Sequence, residues 1–109
     1  MSLILTEDQL VFDGFDAGGG EMYKYQGAPF TGIMVEYFPN QNIASEEEFL
    51  NGHRGGVQRR YYPNNQMQEE FYIQFNRLEG VFRRWDVNGN LKRETVWQNG
   101  VCIQDSGLI

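Results

Sequence analysis

From Gly32 to Gly100 aromatic and β-branched residues alternate with polar ones in short runs, each closed by a Pro, Asn or Gly turn, which predicts β-hairpins. The runs repeat. Gly32-Ile-Met-Val-Glu-Tyr-Phe-Pro-Asn, Gly56-Val-Gln-Arg-Arg-Tyr-Tyr-Pro-Asn and Gly80-Val-Phe-Arg-Arg-Trp-Asp-Val-Asn stand 24 residues apart. A period of that length makes one supersecondary unit the building block. The register continues through the apolar Ile43, Met67 and Leu91, the acidic Glu46, Glu70 and Glu94, and the bulky Phe49, Ile73 and Trp97. A second turn follows at Asn51-Gly52, Phe75-Asn76 and Asn99-Gly100.

Pro39-Asn40-Gln41, Pro63-Asn64-Asn65 and Val87-Asn88-Gly89 fit a three-residue loop, a type I turn followed by one residue at positive φ. Gly89 suits that last position best and Gln41 least. Such a loop sets Phe38 opposite Asn42, Tyr37 opposite Ile43 and Val35 opposite Ser45, with the same offsets in the later copies. Strict alternation then gathers Ile33, Val35, Tyr37, Ile43, Phe49, Val57, Tyr61, Met67, Phe71, Ile73, Val81, Trp85, Leu91 and Trp97 on one face, the predicted core. The opposite face is expected to carry Glu36, Arg60 and Arg84 beside Glu46, Glu70 and Glu94. A ladder of opposite charges there contributes roughly 0.2–1 kcal/mol per pair. Met34, Phe38, Tyr62, Tyr72 and Phe82 also fall on that face, more aromatic surface than solubility requires.

With 109 residues the chain reads as one domain, 1–109. Residues 1–31 form an atypical capping segment, 32–55, 56–79 and 80–103 the hairpin units, and 104–109 a polar tail. In the cap, Gln9–Phe12 and Glu21–Tyr25 read as strands joined by a flexible Gly18-Gly19-Gly20 connection, a degenerate fourth unit of the kind that closes a repeat array. Val101-Cys102-Ile103 reads as a last edge strand, and an open edge invites pairing, either homodimerisation or strand addition by a partner.

Chemistry-bearing residues are sparse. Cys102 is the sole cysteine and His53 the sole histidine, so no internal disulfide forms and neither a zinc site nor a Cys/His nucleophile is expected; Cys102 reads as a buried structural thiol. Asp13, Asp16 and Glu21 lack calcium-loop spacing, and Gly18-Gly19-Gly20 lacks the Lys-Ser/Thr of a phosphate loop. No cofactor is expected. An acid/base pair such as Glu70 with Glu94 on neighbouring repeats is the catalytic reading, and recurrence of carboxylates at one repeat position favours a structural ladder. The amino terminus lacks the features of a secretory signal, so a cytoplasmic location is expected.

Charge is uneven. Residues 1–50 hold nine acidic side chains against Lys24 alone, and residues 51–109 eight basic and six acidic, leaving a net −6. This repels nucleic acid and anionic membrane, and attracts a basic protein. Arg59-Arg60 and Arg83-Arg84 make no single basic patch, because strand neighbours point to opposite faces.

The segments Glu36-Tyr-Phe-Pro-Asn40, Glu46-Glu-Glu-Phe-Leu-Asn-Gly52, Tyr61-Tyr-Pro-Asn-Asn-Gln-Met67 and Trp85-Asp-Val-Asn-Gly-Asn-Leu-Lys92, with Trp97-Gln-Asn-Gly100, resemble the bacterial MORN-repeat-variant proteins over roughly residues 23–101. The chain departs from that pattern at Gln41, Asn65 and Phe75-Asn76, where glycine is replaced. The resemblance implies an all-β antiparallel meander of repeated hairpins forming an elongated, curved single sheet without catalytic apparatus. It also implies two roles, an antitoxin that neutralises a partner toxin or a MORN-type membrane or lipid scaffold. The favoured function is a non-enzymatic protein–protein interaction module, with Glu36, Phe38, Glu46, Glu48, Tyr62, Tyr72, Phe82 and Arg84 as the candidate partner-binding surface. Specificity is expected where copies differ, as at Glu36 against Arg60 and Arg84, or Glu48 against Tyr72 and Val96.

Overall fold

The computed structural model describes residues 3–107; Met1 and Ser2 of the expected cap and Leu108 and Ile109 of the expected tail lie outside the described residues. The strands are β1 (Ile4–Leu5), β2 (Val11–Phe15), β3 (Glu21–Tyr25), β4 (Ala28–Pro29), β5 (Gly32–Tyr37), β6 (Ile43–Leu50), β7 (His53–Tyr61), β8 (Met67–Gln74), β9 (Arg77–Trp85), β10 (Leu91–Gln98) and β11 (Val101–Asp105). The main sheet runs β1-β5-β6-β7-β8-β9-β10-β11. It is an antiparallel meander from β5 onward, with β1 added in parallel to β5. A small β2-β3-β4 unit joins it where Met22 pairs with His53.

The three-residue loops form as the turn chemistry requires. Phe38 N–H bonds to Asn42 O, Tyr62 N–H to Gln66 O and Asp86 N–H to Asn90 O, at 2.8, 2.8 and 2.9 Å. Gln41, Asn65 and Gly89 occupy the positive-φ position. The cap uses the same loop: Asp16 N–H bonds to Gly20 O at 2.8 Å, with Gly19 at φ 84°. Asp16 Oδ1 also accepts the N–H groups of Gly18 and Gly20 at 3.0 and 2.8 Å. The glycine segment is thus an ordered hairpin loop, not the flexible connection expected of it. Turns of neighbouring units also bond to each other, Asn40 Nδ2 to Pro63 O at 3.0 Å and Asn64 Nδ2 to Val87 O at 2.9 Å.

Alternation along the second strand of each unit departs from expectation. Tyr37 does oppose Ile43, but Glu36 opposes Ser45 and Val35 opposes Glu46, not Ser45. One extra residue is accommodated at Ala44, and the shift recurs before Glu69 and before Arg93. These β-bulges increase the local twist. They also send the following residues of β6, β8 and β10 to the other face. The result is a row Val35–Glu46–Arg59–Glu70–Arg83–Glu94 on one face and Glu36–Ser45–Arg60–Glu69–Arg84–Arg93 on the other. Arg59 and Arg83 therefore meet Glu70 and Glu94 at 2.8 and 2.7 Å. Glu36, Arg60 and Arg84 do not share a face with Glu46, Glu70 and Glu94.

The core moves with the register. Of the predicted apolar face only Val35 and Phe49 are buried, while Tyr37 and Val81 are exposed. The principal cluster is Leu5, Leu10, Tyr23, Phe30, Met34 and Phe49, where the cap folds over the first unit. Met34, expected on the outer face, is one of its most buried members. Tyr23 meets Phe49 edge-on with centroids 5.5 Å apart. Later units are covered by no second layer among the described residues, and the chain spans 45 × 36 × 24 Å. Two further expectations change: β11 extends to Asp105, so the polar tail starts later than Gln104, and Cys102 is exposed.

Candidate functional site

The register shift divides the eight predicted surface residues. Glu36, Phe82 and Arg84 lie on one face, Glu46, Glu48 and Tyr72 on the other. Several are engaged by the scaffold. Phe82 stacks on Phe71 at 5.1 Å with Arg84 over its ring, Tyr62 donates its hydroxyl to Trp85 O at 2.9 Å, and Glu46 accepts from the Tyr61 hydroxyl. Glu36 is exposed and Phe38 half-buried at the first loop. Glu48 and Tyr72 alone among the eight line a cleft of about 810 Å³ whose walls also include Asp16, Leu50, His53, Gly55, Gly56 and Phe75.

Three elements build this cleft. The cap loop supplies Asp16, whose carboxylate accepts from His53 Nδ1 at 2.8 Å and Asn76 Nδ2 at 2.7 Å besides the two glycine N–H groups. An ionised carboxylate only accepts, so the His53 proton sits on Nδ1. The His53 and Asn76 contacts, then the Gly20 and Gly18 amides, hold Asp16 well below the usual carboxylate range against a weaker opposing effect of desolvation. Asn76 reaches Asp16 because Gly18 and Gly20 have no side chains; a Cβ on Gly20 would stand 2.6 Å from Asn76 Oδ1. This clasp ties cap to repeats across 60 residues of sequence.

The floor belongs to β7. Between the pairs Glu47↔Gln58 and Phe49↔Arg54, Glu48 faces a stretch containing Gly55, Gly56 and Val57. Glu48 Oε1 bonds to the Val57 N–H at 2.8 Å, lying where a Cβ on Gly56 would come within 1.9 Å. A Cβ on Gly55 would meet nothing closer than 4.0 Å. The far wall carries Tyr72 on β8 and the turn residue Phe75, which sits at φ 52° with 85% of its surface exposed. That backbone region disfavours a bulky residue, and the equivalent positions are Asn51 and Asn99. Arg54 is occupied elsewhere, over the Phe49 ring and paired with Glu47 and Glu21.

Sequence reasoning reached Glu48 and Tyr72 through differences between copies, and missed Asp16, His53, Gly55, Phe75 and Asn76 as a group. The available signal was the break in the turn pattern at Phe75-Asn76. The acid/base pairing of Glu70 with Glu94 finds no support, since Arg59 and Arg83 engage the two carboxylates separately.

An open sheet whose successive hairpins repeat one turn, one bulge and one charge row is a β-hairpin repeat protein, a class that presents extended surfaces for binding. The MORN repeat variant family matches residues 54–74 and 78–99, the β7–β8 and β9–β10 hairpins. The match covers two adjacent hairpins and suggests a repeat-based interaction or scaffold module. Comparisons with curated proteins and with solved structures return no match. No helix among the described residues is long and apolar enough to cross a membrane.

Proposed function

We propose that this chain is a non-enzymatic module of the cytoplasm that binds another protein of basic surface, in its sharpest form an antitoxin or immunity-type protein that neutralises a partner toxin. The observation that carries the reading is exposed apolar surface on the uncovered half of the sheet: Tyr72, Phe75, Val81, Val101 and Ile103 range from 39% to 85% exposed. Exposed apolar groups on a chain of net charge −6 favour a partner that is both apolar and basic. The β11 edge offers a second mode, pairing with another copy of the chain or with a partner's strand. The lipid-scaffold alternative suits a net −6 chain poorly.

Affinity capture from the cell of origin, followed by co-purification and titration with the purified partner and with the product of the neighbouring gene, tests the reading. A stoichiometric complex weakened by salt supports it, and rescue of growth on co-expression supports the antitoxin form. Absence of any protein partner, with co-sedimentation on anionic vesicles instead, replaces it by the lipid scaffold.

A further inference from the structure

The geometry points to the cleft as a receptor for one cationic side chain, an arginine or lysine, presented by the partner protein. This deepens the interaction reading and rests on it. The stem of the guest lies over the bare Gly55 floor, its methylenes against Tyr72 and Phe75, and its charged head on Glu48.

Three observations carry this. First, charge: Asp16 is saturated by four donors and Arg54 is neutralised, so among the described residues Glu48 is the lining carboxylate with no cationic partner. Its Oε1 is fixed by the Val57 N–H at 2.8 Å, which aims the group without satisfying its charge. Second, shape: Glu48 and Tyr72 flank β7 from neighbouring strands, so their backbones stand about 10 Å apart, two strand spacings. The Glu48 carboxylate fills the side-chain space of Gly56, whereas at Gly55 an added Cβ would meet nothing closer than 4.0 Å, leaving a slot of side-chain width there. An aromatic wall beside a carboxylate suits a cation with an apolar stem, because a ring face attracts cations and methylenes pack on it.

Third, the slot occurs in one copy only. Positions equivalent to Gly55 are Thr31 and Glu79, and both serve their own turns: Thr31 Oγ1 accepts the Asn51 N–H at 2.9 Å and Glu79 Oε2 the Asn99 N–H at 2.8 Å. Gly55 offers no such acceptor to Phe75. The middle unit thus forgoes both the side chain that supports the turn and the Asn found at its first position. What it gains is an open floor and an exposed ring at one rim.

The probe is Nα-acetyl-arginine methylamide, titrated into the full chain and followed by amide chemical shifts, with Nα-acetyl-norleucine methylamide as the uncharged control. Expected are saturable shifts grouped at Gly55, Gly56, Val57 and Tyr72, absent with the control. Affinity should fall at least fivefold in Glu48→Gln, which keeps an acceptor for Val57, and severalfold in Phe75→Asn. Ungrouped shifts, equal response to the control, or unchanged affinity in Glu48→Gln overturn the proposal, and the same spectra report whether each variant is folded. Measuring the captured partner against wild type and Glu48→Gln separates the two readings: equal binding keeps the interaction module and overturns the cleft. A positive titration without any partner keeps the cleft and sinks the module.

Discussion

Gly56 and Glu48 depend on each other, because the carboxylate fills the space that a side chain on Gly56 would need, and a double-mutant cycle can read that dependence. Gly56 sits at φ 99°, and an added Cβ would come 1.9 Å from Glu48 Oε1 and 2.6 Å from its Cδ. Gly56→Ala therefore incurs two costs. Backbone strain in a region L-residues avoid contributes about 1–3 kcal/mol. Eviction of the carboxylate forfeits the charged hydrogen bond to Val57, about 1.5–3 kcal/mol. The single variant should lose about 2.5–6 kcal/mol, a large share of the ~5–15 kcal/mol typical of a domain. Glu48→Ala alone loses only the hydrogen bond. In the double variant the bond is already gone, so the Gly56→Ala change adds strain alone and the pair falls short of additivity by about 1.5–3 kcal/mol. Urea unfolding followed by Trp85 and Trp97 fluorescence supplies the four stabilities. Additivity within about 0.5 kcal/mol would show that Glu48 does not occupy the space above Gly56 and would refute the reasoning.

Phe75→Asn restores the residue found at Asn51 and Asn99; with 85% of Phe75 exposed, relief of the positive φ should balance or exceed the small apolar burial that the ring provides, leaving stability unchanged or raised by up to about 1 kcal/mol by thermal unfolding. Asn64→Ala removes the bond to Val87 O and the support that Asn64 Oδ1 gives the Gln66 N–H, and should cost about 1–2 kcal/mol with faster hydrogen exchange at Gln66. Met34→Ala, at a site only 2% exposed, should cost about 2–5 kcal/mol in the same assay. Burial, then the charges of Glu21 and Glu7, push the Tyr23 hydroxyl up to about 12, so its contribution is complete below pH ~10, the ordinary tyrosine value, and is lost as pH rises through the folded value. Tyr23→Phe should flatten the fall in stability over that window, and an unaltered slope would contradict the assignment.

The turns were legible because their chemistry is local. Each needs a turn-forming residue at a fixed offset followed by one at positive φ, and Asn40, Asn64 and Asn88 mark the first place while Gln41, Asn65 and Gly89 take the second. The bulges at Ala44, Gln68 and Lys92 were not, since those three residues share no property that turn or strand chemistry selects. One signal did exist: Arg59 and Arg83 match Glu70 and Glu94 only if a residue is skipped. Strict alternation puts Arg60 opposite Gln68 and Arg84 opposite Lys92, so charge favours the skipped register, and the choice of strict alternation set that signal aside. The whole allocation of faces rested on that choice, which is why the predicted turns survive while the predicted core does not. The core also depends on β1 returning alongside β5, a pairing of Ile4 with Ile33 for which two residues of strand leave almost no pattern.

The same contrast between copies locates specificity. A repeat constrains each copy to supply the same turn supports, and a copy that withholds one loses stability unless something else is gained. Phe75-Asn76 withholds two. Asn76 has a visible compensation in its bond to Asp16, and Asn serves that purpose where Gly could not. Phe75 has none within the chain, since 85% of its surface remains in solvent. A bulky apolar residue kept at positive φ and left uncovered is costly to the isolated fold on both counts. On the proposed reading, the compensation that balances it lies outside the molecule, against the cationic side chain that enters the cleft.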